Sequence, residues 1–242
     1  MLKVENISTG YGKKQVLFDI SFEINKGDII LLAGSNGSGK STLLKAIYGL
    51  LPIWNSSPLL GRGVRGEVIF EGENLTGKST SSLLKKGLLY IPQKNNLFED
   101  LTVKENLEMA GLTLHKKVLK ERIEYVLSVF PTIKGFLNRT PMKMSGGERQ
   151  LLTLAMAMLH KPKMILLDEP LTGLSPKNIS FVIENLLLLK KKKDITLIVV
   201  EHRVKECLQV ANRIVGLKLG KVFCEVENGV GFDVNELNSL FV

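Results

Sequence analysis

The segment from Gly34 to Ser41 combines glycines, a lysine and a hydroxyl at the spacing of a phosphate-binding loop. It fits the pattern Gly-x-x-x-x-Gly-Lys-Ser/Thr. The glycines let successive backbone N–H groups point inward, and a helix beginning near Lys40 adds its positive end. Lys40 would reach the terminal phosphates of a nucleoside triphosphate, and Ser41 would hold Mg²⁺. The residues expected to contact the nucleotide here are Gly34, Ser35, Asn36, Gly37, Ser38, Gly39, Lys40, Ser41 and Thr42.

Two acidic residues follow an apolar segment later in the chain, in Leu166-Leu167-Asp168-Glu169-Pro170. The strand that this segment predicts would end beside the phosphate loop, because α/β proteins bind ligands at the carboxyl edge of the sheet. Asp168 is suited to hold Mg²⁺, directly or through water, since that cation prefers oxygen ligands. Glu169 points in a different direction and could polarise an attacking water as a general base.

A third motif, Ser145-Gly146-Gly147-Glu148, precedes an apolar segment that predicts a helix. Ser145 and Glu148 have the spacing of a capping box, in which each side chain accepts a backbone N–H that the helix leaves unpaired. The two glycines allow an anion to approach the helix N-terminus closely. Taken alone, the motif is as compatible with an ordinary helix start as with a ligand site.

The elements that must position these residues follow from hydrophobic patterning. Residues 1–6 alternate in the manner of an edge strand, and strands that alternate with helices predict a largely parallel α/β sheet. The predicted strands lie at 4–8, 16–24, 29–33, 67–70, 88–91, 164–168 and 195–200.

The chain becomes helical in character from Asp100 onward. Thr102 and Glu105 predict a capping box, and an amphipathic helix runs from about 116 to 130 before Pro131. We therefore predict a single domain over 1–242. Its core is formed by about 1–93 and 162–242, and a helical subdomain at about 94–161 is inserted into it.

Composition favours a globular protein of the cytosol. The chain has 242 residues, of which 44% are hydrophobic and 24% charged. No apolar stretch reaches the roughly 18 residues that cross a bilayer, and the first residues lack a signal peptide's apolar core. Cys207 and Cys224 form neither a metal-type pair nor a redox motif, so we predict reduced packing residues.

The formal net charge of +9 could indicate a nucleic acid or an anionic membrane as partner. The densest basic run, Lys190 to Lys193, follows an apolar helical segment, where lysines complement the helix dipole. We favour this interpretation, with a membrane surface or an acidic partner as alternatives, and expect no nucleic-acid partner.

Together, residues 1–225 resemble the ATP-binding subunit of ATP-binding-cassette (ABC) transporters. Met144 to Gln150 looks like the family's signature sequence. Gln93 matches its glutamine loop and His202 its switch histidine, while Tyr11 falls where such subunits stack an aromatic ring on adenine. The order and spacing of these elements carry the resemblance, since each residue alone would be unremarkable at a strand end.

The resemblance implies an α/β P-loop NTPase fold, the ABC ATPase. This fold has a mostly parallel core sheet, an antiparallel β subdomain and an inserted helical subdomain. It implies ATP and Mg²⁺ as ligands, with Ser41, Gln93 and Asp168 at the metal. Glu169 would activate water, His202 would orient Glu169 and the γ-phosphate, and Gln93 would complete the catalytic set.

In this family two subunits pack head to tail, and each ATP lies between one phosphate loop and the partner's signature. The resemblance therefore implies a second ABC ATPase subunit, identical or different, and transmembrane permease subunits at the inner face of the cell membrane. The residues that would contact the nucleotide of the second subunit are Ser145, Gly146, Gly147 and Glu148.

Residues 86–92, 101–107 and 171–176 look like subunits of branched-chain amino-acid importers, and the lipopolysaccharide-exporter ATPase is similar across the same segments. Gln93 argues against the importers, which often have glutamate there. We expect an ATP-hydrolysing subunit that powers transport, with branched-chain amino-acid import as the candidate process. Lipopolysaccharide export and a soluble ABC switch are the alternatives. Intact Glu169 argues against an inactive structural partner.

Three positions depart from the family pattern. Ser175 replaces an aspartate that crosses the dimer interface in many members, although Ser-Pro remains a good helix start. Glu148 stands where glutamine is more familiar in the signature. The segment from Ile53 to Arg65, which contains Trp54, is longer than usual; we favour a flexible excursion, with a surface that faces a partner as the alternative.

Overall fold

The structure of the protein is a computed structural model that describes residues 1–54, 66–94, 96–191 and 195–227. The predicted excursion at 53–65 and the end of the lysine run lie largely outside these residues. The strands are β1 (Leu2–Tyr11), β2 (Lys14–Ile24), β3 (Ile29–Ala33), β4 (Glu67–Phe70), β5 (Glu73–Asn74), β6 (Leu88–Ile91), β7 (Met164–Asp168), β8 (Thr196–Val200), β9 (Arg213–Lys218) and β10 (Lys221–Glu227). The α-helices are α1 (Lys40–Ile47), α2 (Thr80–Lys86), α3 (Val103–Ala110), α4 (Lys116–Val129), α5 (Gly146–Met158), α6 (Pro176–Lys191) and α7 (Val204–Cys207).

The core sheet has six strands in the order β10-β9-β3-β8-β7-β6. All neighbouring pairs are parallel except β9 with β10. Strands β3, β7 and β8 are buried along their whole length, which explains their continuous apolar sequences. The prediction of a largely parallel α/β sheet is confirmed. Its carboxyl edge brings together the residues after Ala33, Ile91, Leu167 and Val200.

A second sheet is antiparallel, in the order β2-β1-β4-β5. The first strand pairs on both sides, Leu2 with Ile24 of β2 and with Phe70 of β4. The prediction of an edge strand at the start of the chain is therefore wrong. The alternation arises because one face of β1 packs on the core while its other face is more exposed, not because an edge is free.

The hydrophobic core lies on both faces of the six-stranded sheet. Alternate residues of β3 point to opposite sides, with Ile29 and Leu31 packed against α5 and α6, and Ile30 and Leu32 packed against α1 and the antiparallel sheet. The apolar clusters on the two faces of the sheet together hold the carboxyl ends of the strands at a common edge.

Helices α3, α4 and α5 follow one another between β6 and β7, as the inserted helical block predicts. Thr102 and Glu105 form the predicted capping box, and α4 ends just before Pro131. The domain boundaries at about 93 and 161 stay a prediction. In the part of the chain that the structure describes, no helix has the length and apolar character of a membrane span.

The last turn of α6 contains Lys190 and Lys191, as predicted for the start of the basic run. Lys190 Nζ also donates to the carbonyl of Val210 at 2.7 Å. At least part of the net positive charge therefore has a structural role.

The two cysteines occupy apolar surroundings. Cys207 is buried in the core and Cys224 is half-buried beside it.

Asn106 fixes the loop that leads from Gln93 into α3. Its fully buried side chain accepts the N–H of Phe98 at 2.9 Å and donates to the carbonyls of Phe98, Leu101 and Thr102 at 3.0 Å each. We expect Asn106→Leu to lower the free energy of unfolding by about 2–3 kcal/mol, since buried donors and acceptors lose their partners. Urea denaturation measures this, and Glu108→Leu on the exposed side of α3 should change it by less than about 0.5 kcal/mol.

Candidate active site

The predicted phosphate loop connects β3 to α1, and α1 begins at Lys40. Gly37 and Gly39 have left-handed backbone angles, with φ of 78° and 106°. A Cβ atom at Gly39 would lie 2.4 Å from Cδ2 of Leu17. The loop is therefore built for glycine both by its backbone angles and by its contact with β2.

A cavity of about 620 Å³ lies against this loop, a size ordinary for small-ligand sites. It brings Tyr11 and Glu169, which are distant in sequence, to the same space as the phosphate loop. The lining residues come from the β1–β2 hairpin, the loop, α1, the end of β7 and the β9–β10 turn; they are Tyr11, Lys14, Gln15, Val16, Phe18, Asn36, Gly37, Gly39, Lys40, Ser41, Thr42, Glu169 and Leu219.

Lys40 is only 5% exposed, although its side chain reaches the cavity. Its Nζ donates to the carbonyls of Gly34 and Ser35, each at 2.9 Å. Burial lowers the pKa of Lys40, and the carboxylates of Glu169 and Asp168 oppose that shift. A poorly hydrated ammonium group at this place would gain strongly from an anionic ligand.

Asp168, at the end of β7, receives two hydroxyl groups. Ser41 Oγ donates to Oδ1 at 2.8 Å, and Tyr90 OH donates to Oδ2 at 3.0 Å. Burial, followed by the charge of Asp168, raises the pKa of Tyr90 above its ordinary value. The predicted metal residues Ser41 and Asp168 are thus brought into direct contact.

This arrangement fits Mg²⁺ in the chemistry of its donors. One hydroxyl and one carboxylate adjoin the predicted phosphate loop, and Mg²⁺ is usually held by one or two carboxylates together with substrate phosphates and water. Within the described ranges, no cluster of three or more His, Cys, Asp or Glu side chains offers an all-protein metal site. The donors of Ser41 and Asp168 therefore suit a hard cation such as Mg²⁺.

Glu169 is held by three side chains. Gln93 Nε2 donates to its Oε2 at 2.6 Å and Thr172 Oγ1 donates to the same oxygen at 3.0 Å, while His202 Nε2 lies 2.9 Å from Oε1. The backbone of Glu169 has φ of 50°, which is uncommon for a residue other than glycine. A strained backbone and a fixed carboxylate are typical of a functional position.

Tyr11 stands at the mouth of the cavity, 46% exposed, with its hydroxyl 3.4 Å from Thr42 Oγ1. Val16, Phe18 and Leu219 add apolar surface to the same cavity. The ring can therefore offer a face to a planar base.

The signature residues Ser145, Gly146, Gly147 and Glu148 do not line this cavity. Ser145 and Glu148 form the predicted capping box at the start of α5. A Cβ at Gly146 would lie 2.6 Å from Leu174 Cδ2, and one at Gly147 would lie 3.1 Å from Asn178 Oδ1. A side chain at either glycine would require Leu174 or Asn178 to move, a local constraint that sequence reasoning missed.

Three further residues of the site were not singled out from the sequence: Tyr90, Thr172 and Glu201. Thr172 carries a local signal, because it lies three residues after Glu169 in a turn where its N–H donates to the Glu169 carbonyl. Tyr90 meets Asp168 only through the register of β6 with β7, which pairs Tyr90 with Leu166. Glu201 is a charged residue that the fold buries completely.

Comparisons with known proteins point to one family. The family described as ABC transporter matches residues 17–172. The chain is 36% identical to the probable branched-chain amino acid transport ATP-binding protein LivF of Archaeoglobus fulgidus over 92% of this chain and 90% of that one. It is 37% identical to the high-affinity branched-chain amino acid transport ATP-binding protein BraG of Pseudomonas aeruginosa, over 92% and 91%.

Among solved structures, a nucleotide-free ATP-binding cassette from an ABC transporter is similar with a TM-score of 0.83 and 27% identity, over 99% of this chain and 94% of that chain. A dimeric post-hydrolysis state of the cassette MJ0796, bound to ADP and Pi, is similar with a TM-score of 0.76 and 26% identity, over 96% and 100%. On this family match and these identities, the chain belongs to the ABC transporter family, as an ATP-binding subunit of the kind that hydrolyses ATP to power transport.

Proposed function

We propose that this chain is the motor of a branched-chain amino-acid importer. In this proposal it works as one of two ATPase subunits bound to a membrane-spanning permease on the cytoplasmic side. The observation that carries the ATPase part is the carboxylate of Glu169, which Gln93, Thr172 and His202 hold at the edge of the phosphate cavity. The cargo is inferred from the names of LivF and BraG, because a motor subunit need not touch what is transported.

ATP would lie with its phosphates on the loop and its base beside Tyr11. The backbone N–H groups from Gly37 to Gly39 and the ammonium of Lys40 would neutralise phosphate charge. Ser41 and Asp168 would hold Mg²⁺, which when bound would neutralise further charge on the phosphates. The Nε2 end of the Gln93 amide donates to Glu169, so its oxygen is the end available to the metal.

Hydrolysis would begin when Glu169 takes a proton from a water aligned with the γ-phosphate. His202 Nε2, 2.9 Å from Glu169 Oε1, would fix the carboxylate, and its single N–H would be shared with a γ-phosphate oxygen as charge develops. Thr172 would hold the other oxygen of Glu169, so that the base has one orientation before the substrate arrives.

The second half of the site would come from the partner subunit. Ser145 to Glu148 cap the N-terminus of α5 but do not line the cavity of their own chain, which supports their use in trans. A helix N-terminus carries partial positive charge and suits a γ-phosphate. ATP would then join two subunits, and hydrolysis would separate them.

Membrane fractionation tests the transport part of this proposal. We expect the tagged chain to be recovered from washed membranes with a membrane-spanning protein. Proteoliposomes containing the complex and its binding protein should accumulate labelled leucine when ATP is enclosed, and labelled aliphatic sulfonate should not accumulate. Recovery in the soluble fraction alone would instead support a soluble ABC switch, and transport of another solute would refute the proposed cargo.

The ring of Tyr11 gives a separate prediction for nucleotide affinity. We expect Tyr11→Ala to raise the Kd of ATP by roughly 5- to 150-fold, because stacking of a base on an aromatic ring is worth about 1–3 kcal/mol. Tyr11→Phe keeps the ring and should bind as the unaltered protein does. Isothermal titration calorimetry measures both, and an equal loss of affinity in the two variants would point to the hydroxyl beside Thr42 instead.

A further inference from the structure

A buried carboxylate that takes no part in the proposed reaction lies behind Glu169. Glu201 follows the last residue of β8 and is 1% exposed. One of its oxygens accepts the backbone N–H of Leu171, and the other accepts that of His202 at 3.1 Å. The N–H of Arg203 also donates to it. Burial raises the pKa of Glu201, and these three N–H groups oppose the shift.

Glu201 joins two segments, and each of them provides a side chain that contacts the carboxylate of Glu169. Leu171 directly precedes Thr172, whose hydroxyl donates to Glu169 Oε2 at 3.0 Å. His202 directly follows Glu201 and places Nε2 at 2.9 Å from Glu169 Oε1. The buried side chain of Glu201 therefore fixes the backbone of both segments that hold Glu169, the proposed base.

We propose that Glu201 is a positioning residue that fixes the catalytic base by tying the Thr172 segment to the His202 segment. This inference rests on the proposed role of Glu169. A carboxylate suits the task because both of its oxygens accept, so each can serve a donor from a different segment. The same link would carry displacement of the 171–174 turn to His202, and thereby to the γ-phosphate.

The substitution Glu201→Gln tests the proposed link directly, because glutamine has the shape of glutamate but only one accepting oxygen. In Glu201→Gln the amide NH₂ would face a backbone N–H, and one of the two segments would lose its anchor. We expect kcat to fall about 10- to 100-fold, as for other residues that orient a functional group, while the Kd of ATP changes less than about twofold. Glu184→Gln, an exposed carboxylate on α6, is the matched control and should leave both unchanged.

A purely structural role predicts a different pattern, in which melting temperature and ATP affinity fall together with kcat. The double variant Glu201→Gln/Thr172→Val separates the two cases. If Glu201 acts through Thr172, the combined loss in kcat is smaller than the product of the single losses. Multiplied losses would overturn the proposal, as would a kcat of Glu201→Gln within about twofold of the unaltered protein.

Amide hydrogen exchange gives a readout that does not depend on the role of Glu169. We expect Glu201→Gln to speed exchange in whichever of 169–174 and 200–205 loses its hydrogen bond to residue 201, and unchanged exchange in both segments would overturn the link. Glu169→Gln, assayed in parallel, reports separately on the proposed base. If Glu201→Gln does not fold, Glu201→Asp keeps the charge with a shorter reach; it should show the same loss of kcat, and an unaltered kcat would refute the proposal.

Discussion

Glu169→Gln is expected to bind ATP at least as tightly as the unaltered protein while losing nearly all turnover. Glutamine can keep its one accepting oxygen toward Thr172 and turn its NH₂ toward His202 Nε2, which accepts in the other tautomer, but it cannot take a proton from water. General-base catalysis typically contributes about 10²- to 10⁴-fold, so kcat should fall by that factor. Steady-state phosphate release measures turnover, and equilibrium titration measures the Kd.

Affinity should be preserved because the change removes a negative charge beside the phosphates and leaves the loop and Lys40 intact. Removing like-charge repulsion can only favour an anionic ligand at this place. The same variant should accumulate an ATP-dependent dimer, visible by size-exclusion chromatography, since the contact that hydrolysis removes persists. Glu184→Gln serves as the control on α6. Normal turnover in Glu169→Gln would show that another group activates the water.

The local features of the site could be predicted because their signals are local. The phosphate loop is specified by glycines and a lysine within one short segment, and both capping boxes by pairs of residues three apart. Strand β3 was recognisable because a fully buried parallel strand has an apolar residue at every position.

Features that depend on pairing between distant segments could not be predicted from pattern alone. The interior position of β1 follows from the pairing of Leu2 with Phe70, which the alternation of β1 does not encode. The contact between Ser41 and Asp168 spans 127 residues; the motif and the carboxyl-edge rule predict that the two lie near each other, but not the hydrogen bond itself. Tyr90 joins them because of the β6–β7 register.

Glu201 was missed for a different physical reason. Charged side chains are almost never fully buried unless partners satisfy them, so a lone glutamate after a strand suggests an exposed turn. Here the partners are backbone N–H groups of Leu171, His202 and Arg203, which have no signature in sequence. Only the geometry reveals that this carboxylate contacts both segments that hold Glu169.

Lys40→Met is expected to abolish tight ATP binding without weakening the unliganded fold. Charge-assisted hydrogen bonds are worth about 1.5–3 kcal/mol each, so losing one or two to phosphate should raise the Kd of ATP by roughly 10- to 10⁴-fold. The unliganded protein loses only the bonds from Nζ to Gly34 and Ser35, and it is relieved of a buried cation whose pKa burial already lowers. Calorimetric titration and thermal melting without nucleotide measure the two effects. The control is Lys45→Met, on the same helix but outside the cavity lining, which should change neither the Kd of ATP nor the melting temperature. If the melting temperature of Lys40→Met falls in step with its affinity for ATP, Lys40 serves the fold rather than the phosphates.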